Sequence, residues 1–386
     1  MSLVVVAGAV ANKLNLGGEA WVRLSYLLGL RRLGYRVHFL EQISEHTCVD
    51  SRGWPAAFEQ SENRAYFNRV MEQFDLFATS TLVPTDREGK AILPSWLFDL
   101  ADSSAVLLNI SGHLTLAPLL ARFRRKVFID LDPGFTQFWH AEGNANTGLA
   151  GHDDYFTIAS NIGRTGCGIP LGEIPWRTTR PPVVLDEWPS QPPVNTSRFT
   201  TVANWRGSFG PVTRDGTVFG LKVHEFRKYI SLPSFSSAEF EVALNIHPDD
   251  DKDLQALEGN GWHVANPLAA AGTPDCFRRY IQASGAEFSV AQGIYVQTNS
   301  GWFSDRTTRY LASGRPVLVQ DTGFSRHLPS QLGLLTFATL AEAIAGVESI
   351  LSDYDAHAQA ARAIAEQYFD SALVLSQLMD DIGIAP

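Results

Sequence analysis

The chain has 386 residues, 45% of them hydrophobic and 19% charged, which is long enough for two domains of ordinary size with real cores. Its 31 glycines and 20 prolines are close to average usage and exclude a collagen-like or disordered chain. The formal net charge of -10 argues against an extended nucleic-acid surface, so no nucleic acid polymer is expected as a partner.

Cys48, Cys167 and Cys276 are isolated and odd in number, which gives neither a disulfide framework nor a metal knuckle. The apolar opening, residues 3–11, is too short to span a membrane and runs directly into a polar, glycine-containing loop. It predicts a first buried strand, no transmembrane segment and a cytoplasmic location.

The first half opens with a strand near residues 4–8, a loop AVANKLNLGGEA and a helix over 19–33 that Gly34 stops; residues 36–40 supply the next strand. Further strands are predicted over 105–110 and 126–131, each followed by small or polar residues: Ser111, Gly112 and His113, then Asp132, Pro133 and Gly134. Residues 175–193, with two PP pairs, read as the linker. A strand over 199–203 opens the second half, followed by a glycine-containing loop and the helix GLKVHEFRKYI. FEVALNI, WHVANP and SVAQ then read as strands, separated by helical segments around LQALEG and CFRRYIQASG. The alternation predicts an α/β fold with mainly parallel sheets covered by helices on both faces. Two or three helices close the chain after residue 340.

The richest local signal is SGWFSDRTTRYLASGRPVLVQDTGF, residues 300–324, which reads as loop, helix and buried strand. Ser304 is a helix N-cap, Asp305 suits the first turn, Gly314 ends the helix, and Val317, Leu318 and Val319 start the strand. Ser304, Arg306, Thr307 and Thr308 therefore gather at a helix mouth approached by Ser300, Gly301, Trp302 and Phe303. Such a helix N-terminus receives phosphate.

This block, with NLGGEA near the start, resembles the nucleotide-sugar-dependent glycosyltransferases of the GT-B type. The resemblance implies two facing Rossmann-like domains, with acceptor bound by residues 1–190, nucleoside-diphosphate sugar by residues 196–362, and residues 363–386 forming a helical segment that packs back on the first domain. The E-x(7)-E acidic pair common in that family is absent, its second position being taken by small and polar residues, so the stereochemical course is open. No tightly bound cofactor is implied. The spacing of His224, His247 and His263 and the run HPDDD match no metal motif, so no metal site is expected.

Sugar transfer needs the leaving diphosphate neutralised and, for inversion, a base on the acceptor. Ser304, Arg306 and Thr307 suit the first task, with Arg206, Lys222 and backbone N–H groups of Gly207, Ser208 and Gly301 as further donors; Trp302, Phe303 and Trp205 are candidates for stacking on sugar or base. Asp132 and His113, each just beyond a strand, are the candidate catalytic groups, with Asp130 next to Asp132 a turn-holding alternative. Asn12, Lys13, Asn15, Gly17 and Gly18 form a candidate acceptor loop, and His152, beside Asp153 and Asp154, and His224, beside Glu225, are candidate hydroxyl contacts. A capped turn or an ordinary surface pair competes with each of these histidines. An epimerase or phosphorylase on the same scaffold, or a non-catalytic nucleotide-sugar-binding protein, is the alternative to transfer. The loop after the first strand lacks the GxGxxG spacing of dinucleotide enzymes.

Overall fold

The computed structural model describes residues 1–144, 147–207, 209–214 and 216–386. Seven strands, β1 (Leu3–Ala7), β2 (Arg36–Ser44), β3 (Ser80–Thr85), β4 (Val106–Ile110), β5 (Lys126–Asp130), β6 (Asp154–Thr157) and β7 (Trp176–Thr178), form one parallel sheet in the order β3-β2-β1-β4-β5-β6-β7. Val4 to Ala7 of β1 are fully buried, as expected for a strand covered on both faces. The chain order reverses between β1 and β4, so the loops leaving their carboxyl ends splay apart and open a crevice.

The second sheet uses β8 (Arg198–Asn204), β11 (Glu239–Asn245), β12 (Trp262–Ala265), β13 (Ala286–Ser289), β14 (Val317–Gln320) and β15 (Leu334–Phe337), all parallel, in the order β12-β11-β8-β13-β14-β15. Its reversal falls between β8 and β13. A small antiparallel hairpin, β9 (Val212–Arg214) with β10 (Thr217–Phe219), follows β8. The proline-rich stretch begins as a strand: β7 pairs in parallel with β6 on the edge of the first sheet.

Phe369 interrupts the closing helices. The Asp370 side chain accepts from Ala372 N at 2.9 Å and caps the helix Ser371–Asp381, which lies against the first helix, Gly17–Arg32. Ser371 N donates to Val183 O at 2.8 Å and Tyr35 Oη to Ile384 O at 2.7 Å, so the end of the chain is tied to the first sheet's layer as the resemblance implied. Among the described residues no helix is long and apolar enough to cross a membrane.

Candidate functional site

The carboxyl ends of both sheets face one cavity of about 970 Å³. From the first domain it is lined by the loop after β1, by His113 after β4 and by Asp132 after β5; from the second come Asn204 at the end of β8, Arg206 beyond it, Lys222, Gln292, Tyr295, Trp302 and Ser304 before the helix Asp305–Ala312, and Asp305, Arg306 and Arg309 within it.

The β1 loop is fixed from behind. Glu41 of β2, buried, accepts from the backbone N–H of Val10, Ala11 and Asn12 at 2.8, 2.9 and 2.8 Å, and from Asn12 Nδ2 at 2.8 Å. Asn12 therefore holds its own loop, while Lys13, Asn15 and Gly18 line the cavity. Gly17 has another role: a Cβ there would collide with the Thr273 carbonyl and lie 2.8 Å from Pro274 N, so its bareness lets the first helix touch the second domain.

Asp130 ends β5 and is 1% exposed. Burial pushes its carboxyl up to about 6, against the pull of hydrogen bonds from Gln137 Nε2 and Thr157 Oγ1, both at 2.7 Å. It also accepts from Asp132 N at 3.2 Å, so Asp130 is the member of the pair that holds the turn. Asp132 lines the cavity, its carboxyl raised by burial and by the charge of Glu19. His113 lines it too; burial, with Arg23 and Lys13 adding positive charge, lowers its imidazole to about 3 and keeps it neutral.

On the second domain Ser304 caps its helix as predicted, its Oγ accepting from Arg306 N at 3.2 Å. Arg306 is largely buried: Nε donates to Glu287 Oε1 at 2.7 Å, Nη1 to Val202 O at 2.7 Å and Nη2 to Ser289 Oγ at 2.6 Å. Lys222 Nζ donates to Val290 O at 2.9 Å, and burial with the nearby Arg306 charge lowers its ammonium to about 7. Arg206 reaches the rim and pairs with Asp250 through Nε at 2.9 and 3.2 Å. Tyr295 and Trp302 stack at 4.4 Å between centroids and present an aromatic wall.

Several expected contacts lie elsewhere. Gly301 N–H donates to Thr322 O at 2.7 Å and is thereby spent; a Cβ at Gly301 would press on Ser160 and Asn161 of the first domain, which makes it a packing position. Phe303 stacks on Phe369 at 5.0 Å in the apolar interior, and Thr307 is 1% exposed outside the cavity wall. Trp205 is buried with Nε1 on Asp253 Oδ2 at 2.8 Å. His152 is held by Asn109 Nδ2 at 3.1 Å and the Leu149 carbonyl at 3.1 Å, away from the cavity. His224 Nδ1 accepts from Leu221 N at 3.0 Å and caps the helix Lys222–Phe226, while Glu225 pairs with Lys228 at 2.8 Å. Gly207 lines the cavity; Ser208 lies outside the described residues.

The sequence reading missed Arg23, Tyr26, Arg309, Gln292 and Tyr295, all in the wall. Arg23 Nε, Tyr26 Oη, Arg309 Nε and Gln292 Oε1 are buried without a hydrogen-bond partner among the described residues. Buried polar atoms of this kind are costly unless something satisfies them; these four line the cavity, while Tyr66 Oη, Trp188 Nε1 and Arg315 Nε stand without a partner among the described residues away from it. The available signal was Arg23 standing between Val22 and Leu24 on its helix; Arg309, four residues after Asp305, gave none. Among the described residues no group of three or more His, Cys, Asp or Glu is placed to hold a metal ion.

No protein-family profile matches the chain, and no curated protein does. Solved structures do match over its whole length. One is an alpha-glucosyltransferase in complex with UDP and a 13-mer DNA containing an HMU base, at 11% identity and TM-score 0.62, covering 99% of this chain and 100% of that one. The Anabaena protein HepE in complex with UDP-glucose matches at 12% identity and TM-score 0.60, covering 99% of each chain. Sucrose-phosphate synthase from Thermosynechococcus elongatus matches at 10% identity and TM-score 0.54, again over 99% of each. The expectation that no nucleic acid polymer is a partner is overturned by the first of these, since a chain of the same fold is seen with DNA; net charge averages over the whole surface and does not govern one face. At such identity the likeness speaks for architecture, and the chain has the fold its residues resemble, the GT-B arrangement of two Rossmann-like domains facing across a cleft.

Proposed function

We propose that the protein transfers a sugar from a nucleoside-diphosphate sugar to an acceptor, with the second domain, residues 196–362, holding the donor, the first, residues 1–190, holding the acceptor, and residues 363–386 fastening the two. The observation that carries this reading is a single cavity lined by the cations Lys222 and Arg306 from one domain and the carboxylate of Asp132 from the other. The diphosphate lies at the mouth of the helix Asp305–Ala312, where Lys222, Arg306 and, from the rim, Arg206 offset its charge. Trp302, less buried than the Tyr295 ring stacked on it, offers a face to the sugar or base. Asp132 takes the proton of the acceptor hydroxyl as its oxygen bonds to the anomeric carbon; the bond from that carbon to the diphosphate breaks, and its electron pair leaves on the phosphate. His113, neutral, and Asn15 hold acceptor hydroxyls. Because side-chain cations perform the neutralisation, no divalent ion is required in this scheme, and turnover is expected to survive EDTA.

The UDP and UDP-glucose bound to neighbours of the same fold support a uridine donor as the first to test. The DNA bound to one of them supports including DNA with a modified base among the acceptors. Cys48, Cys167 and Cys276 are unpaired, which supports a reducing, cytoplasmic setting.

The test is incubation with UDP-, dTDP- and GDP-sugars, measuring binding and slow release of the nucleoside diphosphate. Selective binding with slow hydrolysis is expected, and failure to bind any of them refutes the proposal. Release that requires inorganic phosphate would mean a phosphorylase; rearrangement of the donor sugar without an acceptor would mean an epimerase.

A further inference from the structure

Tyr295 lies in the short helix Gly293–Gln297, just beyond β13 of the second domain. Its hydroxyl donates to Asp132 Oδ1 at 3.0 Å, across the cavity and 163 residues away in sequence. The ring has no freedom to wander: it is 2% exposed, stacked on Trp302 at an interplanar angle of 24°, and set edge-on to Phe135 of the first domain at 6.2 Å. No hydrogen bond reaches Asp132 Oδ2 among the described residues, so one carboxylate oxygen is fixed and the other is available to a ligand.

We propose that Tyr295 is a positioning residue that orients the Asp132 carboxylate toward the acceptor hydroxyl, and does so only while the two domains stand as they do here. The inference rests on the reading of Asp132 as the base. Neither domain then carries a finished site alone: the first domain supplies the carboxylate and the second supplies the hydroxyl that aims it. A base that is aimed only beside the donor-holding domain is not left ordered in an open cleft. The charged groups facing this pair are Glu19, Lys13 and Arg23 from the first helix and the loop before it, Asp130 from the strand end below, and Asp305 on the Tyr295 side. Glu19 and Asp130 disfavour a charged Asp132, while Lys13, Arg23 and the Tyr295 hydroxyl favour it. Removing the hydroxyl therefore makes the carboxylate harder to ionise.

Tyr295→Phe keeps the ring on Trp302, and circular dichroism checks that the fold survives. The Asp132 carboxyl is followed by carbon-13 NMR in the full-length protein labelled at aspartate, its signal assigned by its loss in Asp132→Asn. In Tyr295→Phe the Asp132 titration and the acidic limb of UDP-glucose hydrolysis are expected to move up together by about 1 pH unit, and turnover near neutrality to fall about 10-fold, with donor Kd within about 2-fold of the parent. An Asp132 titration that does not move in Tyr295→Phe overturns the inference without touching the proposed reaction. Full hydrolysis by Asp132→Asn overturns it from the other side, because the base itself is then misassigned. The titration reads the contact even with no turnover, so the two failures are told apart.

Discussion

Binding of a donor diphosphate beside Lys222 is expected to take up a proton. In the free protein the ammonium is lowered to about 7, by burial first and by the Arg306 charge second. It is therefore roughly half protonated at pH 7 and only roughly 3% protonated at pH 8.5. A diphosphate at this position brings two opposite charges close and restores the ammonium to about 9.5 or above, as opposite charges shift such groups by about 1 to 3 units each. The sign follows: affinity is highest below pH 7 and declines as pH rises toward the bound-state value. Between pH 7 and 8.5 the affinity for UDP-glucose falls about 15-fold, or about 1.6 kcal/mol. UDP-glucose suits the assay because its phosphates do not titrate in this range. Isothermal titration in buffers of different ionisation enthalpy reads the affinity and the proton uptake together, with nearly one proton taken up at pH 8.5 and none in Lys222→Met. Affinity flat over this range, or a slope that survives in Lys222→Met, would refute the placement of the diphosphate at Lys222.

Arg306→Ala is expected to destabilise the fold by about 3 to 5 kcal/mol, because it strands the fully buried Glu287 carboxylate; urea denaturation checks this, and Glu287→Gln in the same chain should recover part of the loss. Donor binding by Arg306 is then read in that folded double variant against Glu287→Gln alone. Asp130, raised from 3.8 to about 6, contributes stability that is complete below pH 4 and lost as pH rises through 6, an effect of about 3 kcal/mol; urea midpoints across this window should flatten in Asp130→Asn. Gly17→Ala puts a methyl group against the Thr273 carbonyl and 2.8 Å from Pro274 N, so the domains must part. A larger radius of gyration by small-angle scattering and weaker catalysis are expected, with helix content unchanged.

What could be read in advance was local. Buried parallel strands such as β1 and β14 announce themselves as apolar runs, and the Ser304 cap is legible because donor and acceptor lie two residues apart. β3 and β7 were missed because edge strands need not be apolar: β3 carries Pro84 and β7 is mostly exposed. His224 and His152 looked chemical because a histidine can titrate, yet each is satisfied by backbone or amide groups within its own domain. Arg23 was passed over for the opposite reason, since Glu19 four residues before it reads as a surface pair, while the side chain is 3% exposed in the cavity wall. Tyr295 had no local signal at all. Its partner Asp132 belongs to the other domain, and a hydrogen bond spanning 163 residues is visible only when both sheets present their carboxyl ends to one space. The same geometry explains why Gly301, although correctly placed beside the helix, uses its N–H to close its own loop on Thr322. A cleft between domains draws its polar groups from far-separated strand ends, so sequence finds the loops that surround it before it finds the side chains that meet in it.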